Sequence, residues 1–308
     1  MENLEAAFPA DRYIAVRSTS GSRETLEQAA LNALSLYFQA LVSSRTDLAE
    51  SYAEQNGEVS QSLQLEQQTV VQTETELFAV RYTDPWRNVN GIWEMAAYID
   101  RDEAWALFEP RLTSKTAPFM AIVKAAEKDI EPLRRFFRYR AARSLDPAAL
   151  PAYLDFARTL NPGRAAAFNP VREASAALSL RLDEAKFEAS VCLDIPVDMD
   201  GIAAAALISA LSAEGFPITE NRNAAGAVCR AVIDEGRENR EGGTFYTPKL
   251  TLTLQGKADP LFSMTLEAPR QSAVNPDIAR RRAYAALAGE IQSQFHGEFE
   301  KQMSVVIN

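Results

Sequence analysis

The sequence predicts an α+β protein of two small mixed units, each a helix packed on an antiparallel or mixed sheet, joined by an α-helical connector. Three observations carry this. Short runs with alternating apolar residues gather at the two ends of the chain, at Arg12–Arg17 and Ile92–Ile99 and again between 187 and 266. Between them, residues 113–185 hold a single glycine, Gly163, and are rich in Ala, Arg and Leu. The 308 residues suffice for two domains of ~150 each. A compact chain of that size hides ~75% of its unfolded surface, so it needs no metal or disulfide to fold. The expected boundaries are 1–112, 113–185 and 186–308.

In the first unit, Arg12–Arg17 reads as a strand, and Ser22 can cap the helix that follows. That helix places Leu26, Ala30, Ala33, Leu34, Tyr37 and Leu41 at helical spacing. A polar stretch runs from Val42 to Glu76, β-prone over Thr69–Glu76. Leu77–Tyr82 continues as strand, and Asp84-Pro85 and Asn88–Gly91 supply turns. Trp93, Met95, Ala97 and Ile99 line one face of the next strand, and a helix opens near Asp102.

Prolines at 118, 132, 147, 151, 162 and 170 divide the connector into several expected helices. In the last unit Phe187–Ile195 reads as strand and Ile202–Ala213 as helix, ended at Gly215 in a left-handed cap. Phe216–Ile218, Ala225–Asp234, Tyr246–Leu254 and Leu261–Leu266 are further strands, with a hydrophilic loop over Glu235–Gly243. The closing helix takes Asn275 as cap and Pro276 in its first turn, and buries Tyr284, Leu287, Ile291 and Phe295.

Net charge is −10 and unevenly spread. Residues 1–112 hold 8 Arg, no Lys and 18 acidic residues, whereas 113–308 balance at 24 of each sign. An acidic first third repels nucleic acid and anionic lipid. No apolar run reaches the ~18–20 residues of a membrane span, and Met1–Leu4 lacks the features of a signal peptide. Taken literally the chain is cytosolic; a chain whose leader had been removed reads the same.

Reactive residues are scarce. His296, Cys192 and Cys229 are the whole His and Cys content, so a zinc site or a histidine-based nucleophile would draw on three separate segments. Cys229 shares a strand face with Ala227, Ala231 and Ile233, while Cys192 points away from Ala189, Val191 and Leu193; the opposite environments favour unpaired thiols. His296 is expected at the surface. There is no Gly-rich phosphate loop, G-x-S-x-G or C-x-x-C. The run Arg134–Arg143 mixes arginines with aromatics, as nucleic-acid sites do. On a helix, however, Leu133, Phe136, Phe137 and Ala141 share one side, which leaves the arginines to solvate the rest or dock on the acidic first unit. The clusters Asp100/Asp102/Glu103 and Asp194/Asp198/Asp200 read as carboxylates at helix starts. Asp198–Gly201 fails as a calcium loop, because the first and twelfth positions would be Pro196 and Leu207. Trp86, Trp93 and Trp105 are expected in core or edge positions. No catalytic, cofactor-binding or metal-ligating residue is assigned, and no cofactor.

The first ~110 residues resemble the LPP-type outer-membrane lipoproteins, a family that includes domains of flagellar accessory lipoproteins. The likeness rests on Tyr13–Val16 leading into a helix with Ala29, Ala30 and Ala33, on Asp84-Pro-Trp86, and on Trp93–Asp100 running into a helix. Arg17-Ser18-Thr19 stands where the family commonly has a glycine, and no cysteine for lipid attachment lies near the N-terminus. The last unit resembles the small α/β domains of envelope assembly proteins such as the N-terminal domain of TolB, through Ala210–Phe216 and Ala227–Asp234. The resemblances imply a non-enzymatic periplasmic scaffold at the outer membrane, working through other envelope proteins or self-association. They imply no nucleic acid, and contact with the membrane only through a lipid anchor. Two other expectations remain: a carboxylate-based hydrolase acting on glycans, and a cytosolic binding protein using Arg134–Arg143.

Overall fold

The computed structural model describes residues 4–50, 80–145 and 149–307, without the side chains of 41–50, 149 and 305–307. It is α+β. The chain divides into two compact units, Met1–Met120 with Ser144–Ala176, and Ala121–Arg143 with Ala177–Asn308.

The first unit opens with the short helix α1 (Leu4–Ala7), strand β1 (Tyr13–Ser20) and helix α2 (Leu26–Glu50). Strands β2 (Arg81–Tyr82), β3 (Trp86–Arg87) and β4 (Trp93–Asp100) follow. β1 runs antiparallel to β4 from Tyr13 opposite Asp100 to Ser20 opposite Trp93, and β2 and β3 both pair with β4. Helix α2 begins three residues after Arg23, and the expected cap Ser22 instead accepts the Glu24 N–H in the preceding turn. The buried stripe of α2 is Leu26, Ala30, Leu34 and Phe38, so Phe38 and not Tyr37 faces inward. A strict i, i+4 row drifts round the helix and passes 37 by. α2 also continues past Val42 into the polar stretch, as far as Glu50. Thr69–Glu76 lies outside the described residues, as do Leu77–Phe78–Ala79.

Helix α3 (Arg101–Lys128) runs straight on from β4, with Pro110 and Pro118 inside it. The expected break at Pro118 does not occur. Trp105, Phe108, Leu112, Phe119 and Val123 form a continuous buried face. Burying five such side chains at ~1.5–3 kcal/mol each together outweighs the ~3 kcal/mol of each interior proline. Pro147 lies outside the described residues, and the other four expected breaks do mark starts. Helix α4 (Pro132–Ser144) opens on Pro132, α5 (Ala149–Leu160) has Pro151 in its first turn, α6 (Pro162–Ala165) opens on Pro162 behind the cap Asn161, and α7 (Asn169–Glu188) has Pro170 second. A 3₁₀ turn at Ala166–Phe168 precedes α7. In the first unit, Phe38 stacks on Phe156 at 5.4 Å, and Phe156 meets Phe108 at 5.0 Å. α3 and α7 begin in the first unit and end in the second, so residues 113–185 are shared between them.

In the second unit the helix α7 occupies Phe187 and Glu188, which the alternating pattern assigns to a strand. Strand β5 (Val191–Asp194) starts only after Ala189 N–H has closed the helix onto Ala185 O. Helix α8 (Ile202–Ala213) ends as expected, with Gly215 at φ +91°. Phe216–Ile218 contributes a single parallel bridge, Ile218 to Val191. Strands β6 (Ala227–Asp234), β7 (Glu238–Arg240), β8 (Gly243–Tyr246), β9 (Lys249–Gln255), β10 (Pro260–Glu267) and β11 (Gln271–Ala273) precede the long helix α9 (Pro276–Ile307). The expected loop Glu235–Gly243 therefore holds β7 and the start of β8, which pair as a hairpin.

The main sheet has the order β10-β9-β6-β5, parallel only between β5 and β6. One face is core: Ala227, Cys229 and Ala231 of β6 and Leu250, Leu252 and Leu254 of β9 are buried, as are Leu287, Ile291, Phe295 and Phe299 of α9. The opposite face stays open, with Arg230, Val232, Lys249 and Thr251 exposed. The outer edge of β10 is capped by one side chain. Ser263 N–H donates to Gln302 Oε1 at 3.3 Å, and Gln302 Nε2 donates to Ser263 O at 2.9 Å. That imitates a neighbouring strand and blunts an edge open to aggregation.

Each of the two acidic clusters supplies a carboxylate to a helix start, Asp100 in the first and Asp198 alone in the second. Asp100 Oδ1 accepts the N–H groups of Asp102 and Glu103 at 3.0 and 3.3 Å, and Oδ2 takes Arg12 Nε at 3.2 Å. Asp198 caps α8 with both oxygens, on Ala203 N–H and Ala204 N–H at 3.1 and 2.8 Å. Burial works to raise the Asp100 carboxyl, but the Glu103 and Asp102 N–H groups and Arg12 outweigh it and hold it below its ordinary value. A depressed carboxyl stabilises the fold above the unfolded pKa of ~3.9 and loses that contribution as pH falls through its folded value. Asp100→Ala is expected to cost about 1 kcal/mol in urea unfolding at neutral pH. The gap between wild type and variant narrows below pH ~3.9; a gap that stays constant into strong acid would contradict the role.

Candidate functional site

The arginine run lies on α4, and its partners belong to its own unit. Arg134 pairs with Asp129 and Asp259, Arg135 with Glu188 at 2.6 Å, Arg138 with Asp129, and Arg140 with Glu214 at 3.8 Å. The expected docking of these arginines on the acidic first unit is thus replaced by local pairing. Phe136 and Phe137 are buried against Phe216, and Phe137 also against Phe299. Asp194 and Asp200 pair with Arg222 and Arg281. Trp105 is core, while Trp86 and Trp93 are half-buried beside Glu94 and Arg87.

Cys192 and Cys229 are both buried and unpaired. Cys192 faces the other side of the sheet, as expected, but is buried there too, approaching Glu220 O at 4.0 Å under the loop that follows Ile218. The two sit on adjacent strands, with Leu193 opposite Cys229, so their side chains leave on opposite faces. Burial pushes the Cys229 thiol up to about 12. His296 is a surface residue as expected, its side chain 67% exposed, with Nδ1 2.6 Å from Oε1 of the buried Glu214.

The feature that none of these residues announced is a groove at the β5 end of the main sheet. It forms because the backbone is pinched there. Gly226 N–H donates to Ser190 O at 2.8 Å, and a Cβ on Gly226 would lie 2.2 Å from Glu188 O. On one side of this pinch is a cleft of about 550 Å³, lined by Pro132, Arg135, Phe187, Pro217, Ile218 and Lys257 among others. Phe187 is 81% exposed. On the other side, over the open face of the sheet, lies a cleft of about 470 Å³ whose side chains include Arg222, Arg230, Thr253, Gln255 and Lys257. The two clefts share Gly226 and Lys257 and so meet there.

Lys257 is fixed from beneath. It sits in the turn between β9 and β10, whose Lys257 and Ala258 N–H groups donate to Glu131 at 2.9 and 2.6 Å. Glu131 has no exposed surface, and a Cβ on Gly256 would fall 2.4 Å from its Oε2. The charge balance of the groove is one-sided. Arg135 and Arg222 are paired with Glu188 and Asp194. Arg230 and Lys257 have no acidic partner among the described residues. Among the described residues, Glu188 is the single carboxylate lining either cleft, and Arg135 holds it. The arrangement can hold an apolar group at one end and anionic groups at the other.

Sequence reasoning missed this groove. Its one legible signal is Arg230, which alternation in β6 sends to the face opposite Cys229 and Ala231. Phe187, Lys257 and Glu131 come together through tertiary contacts between segments far apart in sequence.

No helix among the described residues is long and apolar enough to cross a membrane. No protein-family model matches the chain, and no curated protein matches it. Among solved structures, the chain is similar to a minor lipoprotein of Acinetobacter baumannii, with 15% identity and a TM-score of 0.27, over 38% of this chain and 92% of that one. It is also similar to the secreted protein HP1454 of Helicobacter pylori, with 12% identity and a TM-score of 0.30, over 92% of this chain and 98% of that one. At these TM-scores neither likeness carries an argument about fold or function.

Two outcomes follow from the geometry. Glu131→Ala leaves two N–H groups without an acceptor and is expected to cost about 3 kcal/mol in urea unfolding. Hydrogen exchange at Lys257 and Ala258 should accelerate beyond that of the neighbouring strands; unchanged exchange there would dismiss the clamp. His296 is raised above its ordinary value by its hydrogen bond to Glu214. Its contribution is therefore complete below the unfolded pKa of ~6.5 and lost as pH rises through the folded value. The thermal midpoint of wild type should fall relative to His296→Gln over that rise, and parallel curves would refute the coupling.

Proposed function

We propose that this chain is a non-enzymatic cell-envelope scaffold that works through protein contacts, with the groove of the second unit as its docking surface. The observation that supports it is the groove's lining: a large exposed aromatic beside two cations, Arg230 and Lys257, that have no acidic partner among the described residues. Aromatic and arginine side chains are the residues most often carrying binding energy at protein interfaces. The carboxylates that a glycan hydrolase would use have other work. Asp100 and Asp198 cap helices, and Asp194 and Asp200 hold arginines. The arginines that a nucleic-acid binder would use are paired within their own unit. The envelope assignment rests on the resemblance of Tyr13–Val16 and Trp93–Asp100, each running towards a helix, to outer-membrane lipoproteins.

The test is a photo-crosslinking amino acid placed at Phe187, with the exposed Val274 of the same unit as control. In growing cells the probe at 187 should give one discrete adduct, identified by mass spectrometry as an envelope protein or a second copy of this chain, and the probe at 274 none. Recovery of the protein in the cytosolic fraction would reject the envelope part. Absent or equal adducts at the two positions would reject the docking surface.

A further inference from the structure

We propose that the groove takes an extended, acidic peptide segment carrying one large apolar side chain, with its carboxylates on Lys257 and Arg230 and its apolar group against Phe187, Pro217 and Ile218. This rests on the docking role proposed above and names the chemistry of the partner.

Charge complementarity is the first reason. The cleft over the open sheet face is lined by Arg222, Arg230 and Lys257 and by no carboxylate. This stands out against a chain of net charge −10. Arg222 is occupied by Asp194 at 3.3 Å, which leaves Arg230 and Lys257 for a ligand. Arg230 lies on the outward face of β6, opposite Thr253 of β9. Lys257 comes four residues after Thr253 in the chain, so the two cationic positions are offset by no more than about 13 Å along the strand direction. An extended segment with acids at i and i+4 presents both to the same side over that span. Thr253 and Gln255 lie between them and can bond the segment's backbone.

The second reason is the apolar end. Beyond the shared residues Gly226 and Lys257, the lining turns to Phe187, Pro132, Pro217 and Ile218. A phosphate chain has no use for that half, whereas a peptide fills it with one side chain. The acidic whole also repels a long polyanion, so a peptide with a local acidic patch is favoured over nucleic acid. The groove is built to keep its shape: Glu131 pins the Lys257 turn, and Gly226 admits the close approach of Glu188 O. A preformed site of this kind gives up little ordering entropy on binding.

The experiment is fluorescence anisotropy on the full chain with a short labelled peptide of aspartates and serines around one phenylalanine. That peptide should bind, and more weakly as salt rises. Lys257→Glu or Arg230→Glu should each weaken it about tenfold, as should Phe187→Ser or loss of the peptide's phenylalanine. Should a charge reversal fail to fold by circular dichroism, Lys257→Gln and Arg230→Gln replace it and should weaken binding in the same order. Equal binding of a lysine-for-aspartate peptide, or of an oligothymidylate as tight as the acidic peptide, would overturn the proposal. No peptide binding while the cross-link at 187 persists overturns the acidic-segment assignment and leaves the docking surface standing. Loss of both overturns both.

Discussion

A carboxylate taken out of water must find donors, and in this acidic chain that constraint organises the joints of the fold. Four of the five buried acids among the described residues meet it at a helix end. Asp100 caps α3 where it leaves β4 and also holds Arg12. Asp155 pairs with Arg172 between α5 and α7. Glu214, at the end of α8, receives His296 of α9 and lies near Arg140 of α4. Glu131, at the start of α4, holds the turn between β9 and β10. Each ties a helix end to a neighbouring element. Removing one partner of such a set leaves a buried charge uncompensated, which costs more than the set contributes over an apolar substitute. These joints therefore fix geometry more than they add stability.

The groove is a by-product of those joints. Glu131 determines where Lys257 stands, and the pinch at Gly226 determines where the two clefts meet. Most cations elsewhere in the second unit are neutralised locally, as the α4 arginines show. Against that background Arg230 and Lys257 supply an uncompensated positive field over a fixed surface, and field rather than area gives specificity and steering at a protein contact. The blunted edge of β10, where Gln302 imitates a strand, directs recognition away from indiscriminate edge pairing.

Much of the fold was legible along the chain because its signals are local. The cap at Asn275 and Pro276, the helix Ile202–Ala213 with Gly215 behind it, and the alternation in β6 and β10 each depend on neighbours within a few residues. Where sequence reasoning failed, a distant contact had overridden a local preference. Pro118 stays inside α3 because Phe119, Val123 and Leu112 have a core to bury in. Phe187 is the local exception: it remains helical because the Ala189 N–H still closes on Ala185 O, so β5 begins only at Val191.

The sequence by itself determined the fold class, the placement of most helices and strands, the acidic first third, and the scarcity of histidine and cysteine. Composition and spacing are read from the residues alone, and periodicity reports which side of an element is apolar. Only the tertiary structure decided that Arg134–Arg143 pairs within its own unit, that Cys192 is buried along with Cys229, and that Phe187, Arg230 and Lys257 border one groove. Those facts depend on which segments meet across long stretches of chain. Lys257 is placed by Glu131, which stands more than a hundred residues before it and carries no local mark of that task.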